Sequence, residues 1–429
     1  MLPDLCRNNV MIWRGTVSCD LRWRTRGRRL VTQSDRFESL DAWRGVCALL
    51  VAFYHYVYSL PNDLQDVRFL HNSYLFVDFF FVLSGFVIFH AYRDRIDSDT
   101  EAWIFVIRRL GRVWPAHLAT LAGFVAVVAA IGALPHPNTL SISSGQGEYS
   151  IPGLLLQVVL LNAMGLQGTA TWNGPAWSIG AEFYTYLLFA CVVLCGQRRL
   201  VIVSIGLSAL ALAVIMWRAP TYMNSTFDYG FLRCVAGFFA GGVAYHVHER
   251  CRAAQLKFAT IAEIVSLTAV VLLVVSAGRN PDAVSAGSLA APVVFAVVIL
   301  IFAREQGVLS RLLKLAPFRT VARYSYSIYI THKLVLVMIV YLAWLTGIRE
   351  VSAPPQQLGM FQSWPPGMLP FVFLAVVLLL SAASYRFVEV PGRNHFNRMA
   401  TRLQENAREP QPHGLARRYL PASSSILIR

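Results

Sequence analysis

The feature that most constrains this chain is a series of long apolar segments that recur along most of its length. Each extends for about 18 residues or more with almost no charge, which is the length that an α-helix needs to cross a bilayer. Only 14% of the residues are charged and 56% are hydrophobic, whereas about 25% are charged in a soluble protein. The sequence therefore predicts an all-α polytopic membrane protein embedded in the lipid bilayer. It excludes a soluble enzyme, a secreted disulfide scaffold and a nucleic-acid-binding module.

A window of about 19 residues identifies candidate transmembrane helices. Ten are predicted, near residues 40–60, 74–92, 113–134, 176–196, 199–217, 229–248, 258–277, 286–303, 321–346 and 368–388. The apolar stretch 151–164 is too short to span, which favours a re-entrant or interfacial segment. The span from residue 286 contains Pro292, which a membrane helix tolerates if neighbouring groups satisfy the carbonyl that it leaves free.

Basic residues are distributed unevenly between the two sides of these spans. With the N-terminus inside, 31 of the 38 Lys and Arg residues fall on the cytoplasmic side, where such residues are retained. The sequence therefore predicts that both termini are cytoplasmic. The formal net charge of +15 is explained by this topology, with attraction to anionic lipid as a second effect, and not by nucleic-acid binding.

Three regions follow from this pattern. Residues 1–37 are rich in arginine and lack the apolar core of a signal peptide, so we expect a disordered basic cytoplasmic tail or an incorrectly assigned translation start. Residues 38–391 form the transmembrane domain. Residues 392–429 contain too few apolar residues to form a domain, which predicts a mostly solvated, disordered cytoplasmic tail.

Several common metal-binding and catalytic motifs are missing from the sequence. The seven cysteines show neither CxxC pairs nor zinc-ligand spacing, and most fall inside apolar runs. We therefore expect them to be small core residues and expect no metal site. The sequence also lacks a GxSxG elbow, an HExxH motif and a Walker glycine loop.

Ionisable residues inside the first span are candidate functional residues, because a charge at the bilayer centre costs about 2.5 to 3.5 kcal/mol on insertion scales. Arg44 and His55 are eleven residues apart, which returns nearly to the same helix face about 16 Å along the axis. Arg44 then lies near the cytoplasmic end and His55 in the outer half. The alternative is that Arg44 reaches lipid phosphate and His55 is a packing residue.

A second basic group precedes the third span. Arg109 and Arg112 lie at positions i and i+3 on one helix face, just on its cytoplasmic side. Two forked guanidinium groups on one face suit bidentate binding of phosphate, although such arginines often only fix topology. Because Arg44 lies at the same membrane level, the three cations could converge on one anionic ligand from the cytoplasm.

Glu182 lies about six residues from the outer end of the fourth span, at a depth that matches that of His55. A carboxylate at that depth can hold an imidazole in one tautomer.

Two further pairs of ionisable residues lie within the predicted spans. Asp78 and Arg233 share an outer depth and could neutralise each other. His332 and Lys333 fall nearer the middle of the ninth span beside several tyrosines. A structural ion pair is the alternative to a functional role at each of these positions.

Six ordered motifs carry a family resemblance. They are LDAWRG with Arg44 and then, after ten residues, His55; FFFVLSGF at 79–86; RRLGRVWP at 108–115; PAWSIGAEFY at 175–184; SYSIYITH at 325–332; and SYRFVEVP at 384–391. From about residue 36 to 392 the chain resembles the acyltransferase 3 family, membrane-embedded O-acyltransferases that modify surface polysaccharides, lipopolysaccharide, peptidoglycan or antibiotics. Because the chain ends soon after the tenth span, we expect the stand-alone form without an extracytoplasmic esterase-like domain.

The resemblance implies an acyltransferase whose donor is acyl-CoA, with acetyl-CoA expected. Arg109, Arg112 and Arg44 would hold the donor phosphates, and Arg44 would also belong to the catalytic group. His55 would act as general base or transient nucleophile, oriented by Glu182.

The acceptor implied by the resemblance is a hydroxyl of a surface carbohydrate or lipid-linked glycan that approaches from the outer side of a bacterial inner membrane. The side chains expected to contact it are Asp78, Ser84, Trp177, Tyr184 and His332. A secondary transporter or flippase is the alternative function, although the sequence shows no inverted repeat. A non-catalytic scaffold would give no reason for the costly charges.

Overall fold

The computed structural model describes residues 37–60, 64, 66–133, 147–278, 283–345 and 367–407. Helices make up almost all of these residues, and no β-strand occurs among them. The described α-helices are α1 (Glu38–Ser59), α2 (Arg68–His71), α3 (Phe76–Tyr92), α4 (Asp99–Gly132), α5 (Ile151–Val158), α6 (Trp177–Cys195), α7 (Leu200–Arg218), α8 (Gly230–Arg250), α9 (Ala259–Ser276), α10 (Ala291–Phe302), α11 (Val308–Leu313), α12 (Ala316–Leu345), α13 (Met368–Ser384) and α14 (Val390–Asn406). A π-helical turn, Tyr385–Glu389, joins α13 to α14.

Eight helices within the described residues are long and apolar enough to cross a membrane. They are α3, α4, α6, α7, α8, α9, α12 and the continuous helix that contains α13 and α14. Helix α1 has 22 residues but is less apolar, because Arg44, His55 and several tyrosines interrupt its apolar run. The all-α polytopic membrane fold is confirmed, while the count of ten spans and their orientation stay predictions.

Helix α10 is shorter than the sequence predicted. Residues Ala286–Ala290 form a 3₁₀ turn, and the α-helix begins only at Ala291. Pro292 therefore lies in the first helical turn, where its missing N–H would have had no intrahelical acceptor. Neighbouring groups do not need to satisfy a carbonyl there.

Contacts occur between helix ends that are predicted to lie on the same side of the membrane. Arg93, which follows α3, forms an ion pair of 2.5 Å with Glu249 at the end of α8. On the opposite side, the side chain of Asn72 donates to the backbone oxygen of Gly278 at 3.0 Å. These contacts agree with the predicted alternation of the helices.

Two helices are longer than a bilayer requires, and their extra turns pack together. Helix α4 has 34 residues and the helix Met368–Asn406 has 39, whereas about 20 residues span the hydrocarbon core. Gly111 of α4 lies against Phe396 so closely that an added Cβ would overlap that ring. Near the helix ends, the Gln404 amide donates to the Glu101 carboxylate at 3.1 Å.

The expectation of a disordered tail from residue 392 is therefore wrong as far as residue 406. The segment is polar on average, but Phe396 and Ala400 are one helical turn apart, and Ala400 is fully buried. A helix needs only one apolar face to bind a neighbour, so composition alone underestimated its order. Residues 408–429 lie outside the described part of the chain.

The segment from residue 151 forms a helix that is too short to span a bilayer, as predicted. Helix α5 has eight residues, about 12 Å in length. The carbonyls of residues 157–159 accept hydrogen bonds from His117, Trp114 and Tyr184 at 2.8, 3.0 and 3.1 Å. These donors belong to α4 and α6, so the end of α5 is hydrogen-bonded to these two helices, and its re-entrant or interfacial placement stays a prediction.

Candidate active site

His55 is oriented by its own helix. Its Nδ1 donates to the backbone oxygen of Val51 at 2.9 Å, and a carbonyl can only accept, so Nδ1 carries the hydrogen. In the neutral ring Nε2 then keeps its lone pair. The side chain is half-buried, and Tyr54 packs edge-on against the imidazole with ring centroids 4.9 Å apart. The geometry therefore offers Nε2 as a base.

His332 of α12 is the imidazole neighbour of His55. The two ring centroids lie 4.8 Å apart, with planes inclined by 50°. Nδ1 of His332 donates to Ile328 O at 3.3 Å, and the side chain is fully buried. Its Nε2 has no hydrogen-bond partner in the described part of the chain. Two residues predicted separately from the sequence are thus brought into contact.

Glu182 has a different partner from the one expected. Its carboxylate accepts a hydrogen bond from Tyr186 OH at 2.5 Å, and Tyr186 OH lies 2.9 Å from Ser84 Oγ. Between Glu182 and His55, both of them described, the structure shows no hydrogen bond. Equal depth did not bring them together, because α12 rather than α6 places a side chain beside the imidazole of α1. The expectation that Glu182 orients His55 is not supported.

Arg109 lies among aromatic side chains near the predicted cytoplasmic end of α4. Its guanidinium donates to Tyr92 OH at 3.0 Å and lies 5.1 Å from the centroid of that ring. Its Nε is buried and has no hydrogen-bond partner among the described residues. The carboxylate of Glu182 adds a favourable electrostatic interaction with this side chain. Arg109 is therefore fixed in place and retains donor capacity.

Arg112 is paired with a carboxylate to which the sequence analysis assigned no role. Its guanidinium donates to Glu389 at 2.5 Å and lies 5.7 Å from the centroid of the Tyr326 ring. Ser327 donates to the other carboxylate oxygen of Glu389 at 2.9 Å. Glu389 lies in the motif SYRFVEVP directly after the last apolar run. An acidic residue at that position is the feature of the sequence that could have identified it as a site residue.

Arg44 is held from two directions. Its Nε donates to Ser325 Oγ of α12 at 3.0 Å, and its terminal nitrogen lies 3.2 Å from the carboxylate of Asp41 on its own helix. The side chain is 32% exposed. Arg44 therefore lies at the protein surface beside α12, and its level near the cytoplasm stays a prediction.

One stretch of α12 connects the arginines to the histidines. Ser325 contacts Arg44, Tyr326 contacts Arg112, and His332 contacts His55. From residue 325 to residue 332 a helix rises only about 10 Å. The motif SYSIYITH thus joins the two groups of predicted site residues within one short segment.

Asp78 and Arg233 form the structural ion pair that was the alternative to substrate binding. The guanidinium donates to both carboxylate oxygens at 2.8 and 2.7 Å, and both side chains are almost completely buried. Arg233 also lies 5.2 Å from the Trp177 ring. Since these contacts are internal, Asp78 and Trp177 support the packing of α3, α6 and α8.

The other two residues expected to bind the acceptor have internal partners as well. Ser84 bonds to Tyr186, as described above, and Tyr184 OH donates to Val159 O at 3.1 Å. Tyr184 therefore helps to hold the end of α5, and of the five predicted acceptor contacts only His332 lies beside His55.

Comparison with known proteins supports the resemblance. Residues 37–386 match the acyltransferase 3 family model, described as an acyltransferase domain. The chain is 30% identical over 162 residues to protein 2 in the picA locus of Rhizobium radiobacter, which covers 36% of this chain and 82% of that protein. It is 31% identical over 163 residues to the acyltransferase MdmB of Streptomyces mycarofaciens, covering 36% of this chain and 38% of that protein. No solved structure matches the chain.

Proposed function

The chain belongs to the acyltransferase 3 family, whose model covers residues 37–386, and from this premise we propose that it transfers an acyl group from acyl-CoA to a carbohydrate hydroxyl. It is a multi-pass membrane acyltransferase, which leaves the transporter and scaffold alternatives without support. The proposed donor is acetyl-CoA, and the proposed acceptor is a surface carbohydrate or lipid-linked glycan of a bacterial inner membrane.

The donor is proposed to bind at Arg109 and Arg112. Arg112 donates to Glu389 and Arg109 donates to Tyr92. Each bond uses only part of the guanidinium, so other N–H groups can bind phosphate oxygens. Charged hydrogen bonds to phosphate are strong and directional. Arg44, beside the same segment of α12, supplies a third cation at the cytoplasmic end. The phosphates of CoA would therefore remain near the cytoplasm while its thioester extends toward the histidines.

The observation that carries the proposal is the anchored tautomer of His55. With Nδ1 bound to Val51 O, Nε2 can take the proton of an acceptor hydroxyl as the oxygen attacks the thioester carbonyl. The new C–O bond forms, the C–S bond breaks, and the proton passes from His55 to the leaving thiolate. Val51 O also stabilises the imidazolium formed between these two transfers.

Glu182 is proposed to act on the donor side. Its carboxylate lies in a group with Tyr186 and Arg109, and negative charge there favours the orientation in which Arg109 faces the donor. Its role is therefore electrostatic positioning of an arginine rather than orientation of the base.

The test is transfer by purified protein. Detergent-solubilised wild-type protein should release CoA from acetyl-CoA, and mass spectrometry should detect added acetyl groups on surface glycans of cells that contain the protein. Cells that contain His55→Ala should show no such acetylation. Absence of CoA release from every acyl-CoA supplied to the wild-type protein would refute the proposed donor.

A further inference from the structure

His55 and His332 present two hydrogen-bond acceptors side by side. In each ring, Nδ1 donates to the carbonyl four residues earlier, Val51 O or Ile328 O. Each neutral ring therefore keeps a lone pair on Nε2. The ring centroids lie 4.8 Å apart, and Nε2 of His332 has no hydrogen-bond partner among the described residues.

The missing partner is most evident at His332. Its side chain is fully buried, and its Nε2 is unpaired within the described part of the chain. A buried acceptor without a donor is destabilising, so such an atom calls for a group that binds there. Tyr329, whose ring centroid lies 5.9 Å from that of His332, has its OH bonded to Pro175 O and Ser178 instead. What sets His332 apart from the other histidines with an unpaired ring nitrogen is its contact with the proposed base His55, where a bound acceptor can supply the donor.

We propose that His332 binds a second hydroxyl of the acceptor, which is accordingly a vicinal diol of the kind that sugar rings carry. The inference rests on the proposed function, in which His55 Nε2 takes the proton of the reacting hydroxyl. One hydroxyl donates only one hydrogen bond, whereas the two neighbouring Nε2 atoms accept two. The adjacent hydroxyl of the same ring supplies the second donor.

The chemistry of the transfer is unchanged by this contact. The reacting hydroxyl gives its proton to His55 and forms the ester bond, the thioester C–S bond breaks, and the thiolate takes the proton. The second hydroxyl keeps its proton and donates a hydrogen bond to His332. A carboxylate or fully ionised phosphate offers no proton to either nitrogen, so neither group can replace a hydroxyl at this pair.

The test compares two acceptor probes that share a six-membered ring, cyclohexane-1,2-diol and cyclohexanol, with acetyl-CoA as donor and full-length purified protein. The measured quantity is the ratio of kcat/KM for the diol to that for the mono-ol. We expect wild-type protein to prefer the diol and His332→Ala to lower the ratio about tenfold or more, as loss of a buried hydrogen bond implies. His332→Gln should retain part of the preference, because its amide oxygen accepts a hydrogen bond.

The matched control is His117→Gln. His117 is equally buried and also has one ring nitrogen without a partner among the described residues, but its other nitrogen bonds to Gln157 O in α5. It should keep the wild-type ratio even if the protein melts at lower temperature. Because the ratio does not depend on the folded fraction, a purely structural role of His332 would leave it unchanged.

Two results would overturn the inference alone. One is an unchanged ratio in His332→Ala, which would assign His332 to packing or to a bound water. The other is wild-type protein that releases CoA from acetyl-CoA but does not favour the diol, which would leave the proposed donor intact. Wild-type protein that releases no CoA would refute the proposed function and this inference with it.

Discussion

Glu389 and Arg112 form an ion pair of 2.5 Å between the π-helical turn and α4. Glu389 is 1% exposed, whereas Arg112 is 27% exposed. A π-helical turn changes the direction of the side chains that follow it, and such turns are frequent at functional sites. The pair therefore couples the end of the last membrane helix to an arginine that we propose to bind the donor.

Glu389→Gln should weaken donor binding. Loss of the carboxylate removes the group that holds Arg112, so we expect KM for acetyl-CoA to rise about tenfold, the size of one charged hydrogen bond, with a small change in kcat. Glu405→Gln makes the same change of charge on the exposed part of α14 and should behave as wild type. Equal KM values in the two variants would limit Glu389 to a structural role.

Alanine at Arg109 or Arg112 should reduce affinity for acyl-CoA by about 1.5 to 3 kcal/mol per lost charged hydrogen bond. Isothermal titration of folded protein with CoA measures this directly. Arg108→Ala is the control, since it removes a neighbouring charge of the same basic cluster without touching either proposed ligand. If all three variants bind CoA as wild type does, Arg109 and Arg112 only fix topology.

His55→Ala should abolish transfer while leaving the fold intact. A missing general base reduces the rate by about 10² to 10⁴, whereas binding of acyl-CoA, about 16 Å away at the level of Arg44, should persist. Turnover and melting temperature are measured on the same detergent-purified sample. A lower melting temperature with near-normal turnover per folded molecule would show instead that His55 is a packing residue.

Asp78→Asn should destabilise the protein rather than change its kinetics. It leaves Arg233 buried and only partly paired, and breaking such a pair typically costs about 3 to 5 kcal/mol. Thermal unfolding in detergent should show the loss, and replacing both residues, as in Asp78→Leu with Arg233→Met, should recover part of it. An unchanged melting temperature with an altered acceptor KM would show instead that Asp78 contributes to acceptor binding.

Reporter fusions decide the predicted orientation. A fusion at position 140 should report the extracytoplasmic side and one at position 255 the cytoplasmic side, because this arrangement places 31 of 38 basic residues inside. The opposite result at either position would show that the predicted order of spans is wrong.

The sequence by itself determined the class of protein, most of its helices and its family. Apolar length is a local property, so the helices lie at or near the predicted spans. The differences are at helix ends: α4 begins earlier, at Asp99, the α-helix of α10 begins later, at Ala291, and α14 continues past the tenth span. The common face of Arg44 and His55 also follows from helical period alone. The six ordered motifs identified the family because each is a short, local run of residues.

Only the tertiary structure decided which side chains are partners. Sequence indicates how deep Glu182 and His55 lie in their helices, but not which way each helix face turns, so equal depth did not identify the partners that the structure shows, Val51 O for His55 and Tyr186 for Glu182. Arg112 and Glu389 are 277 residues apart, and His55 meets His332 through the packing of α1 on α12. Contacts of this kind depend on helix rotation and neighbour choice, which are set by side-chain packing across the whole bundle.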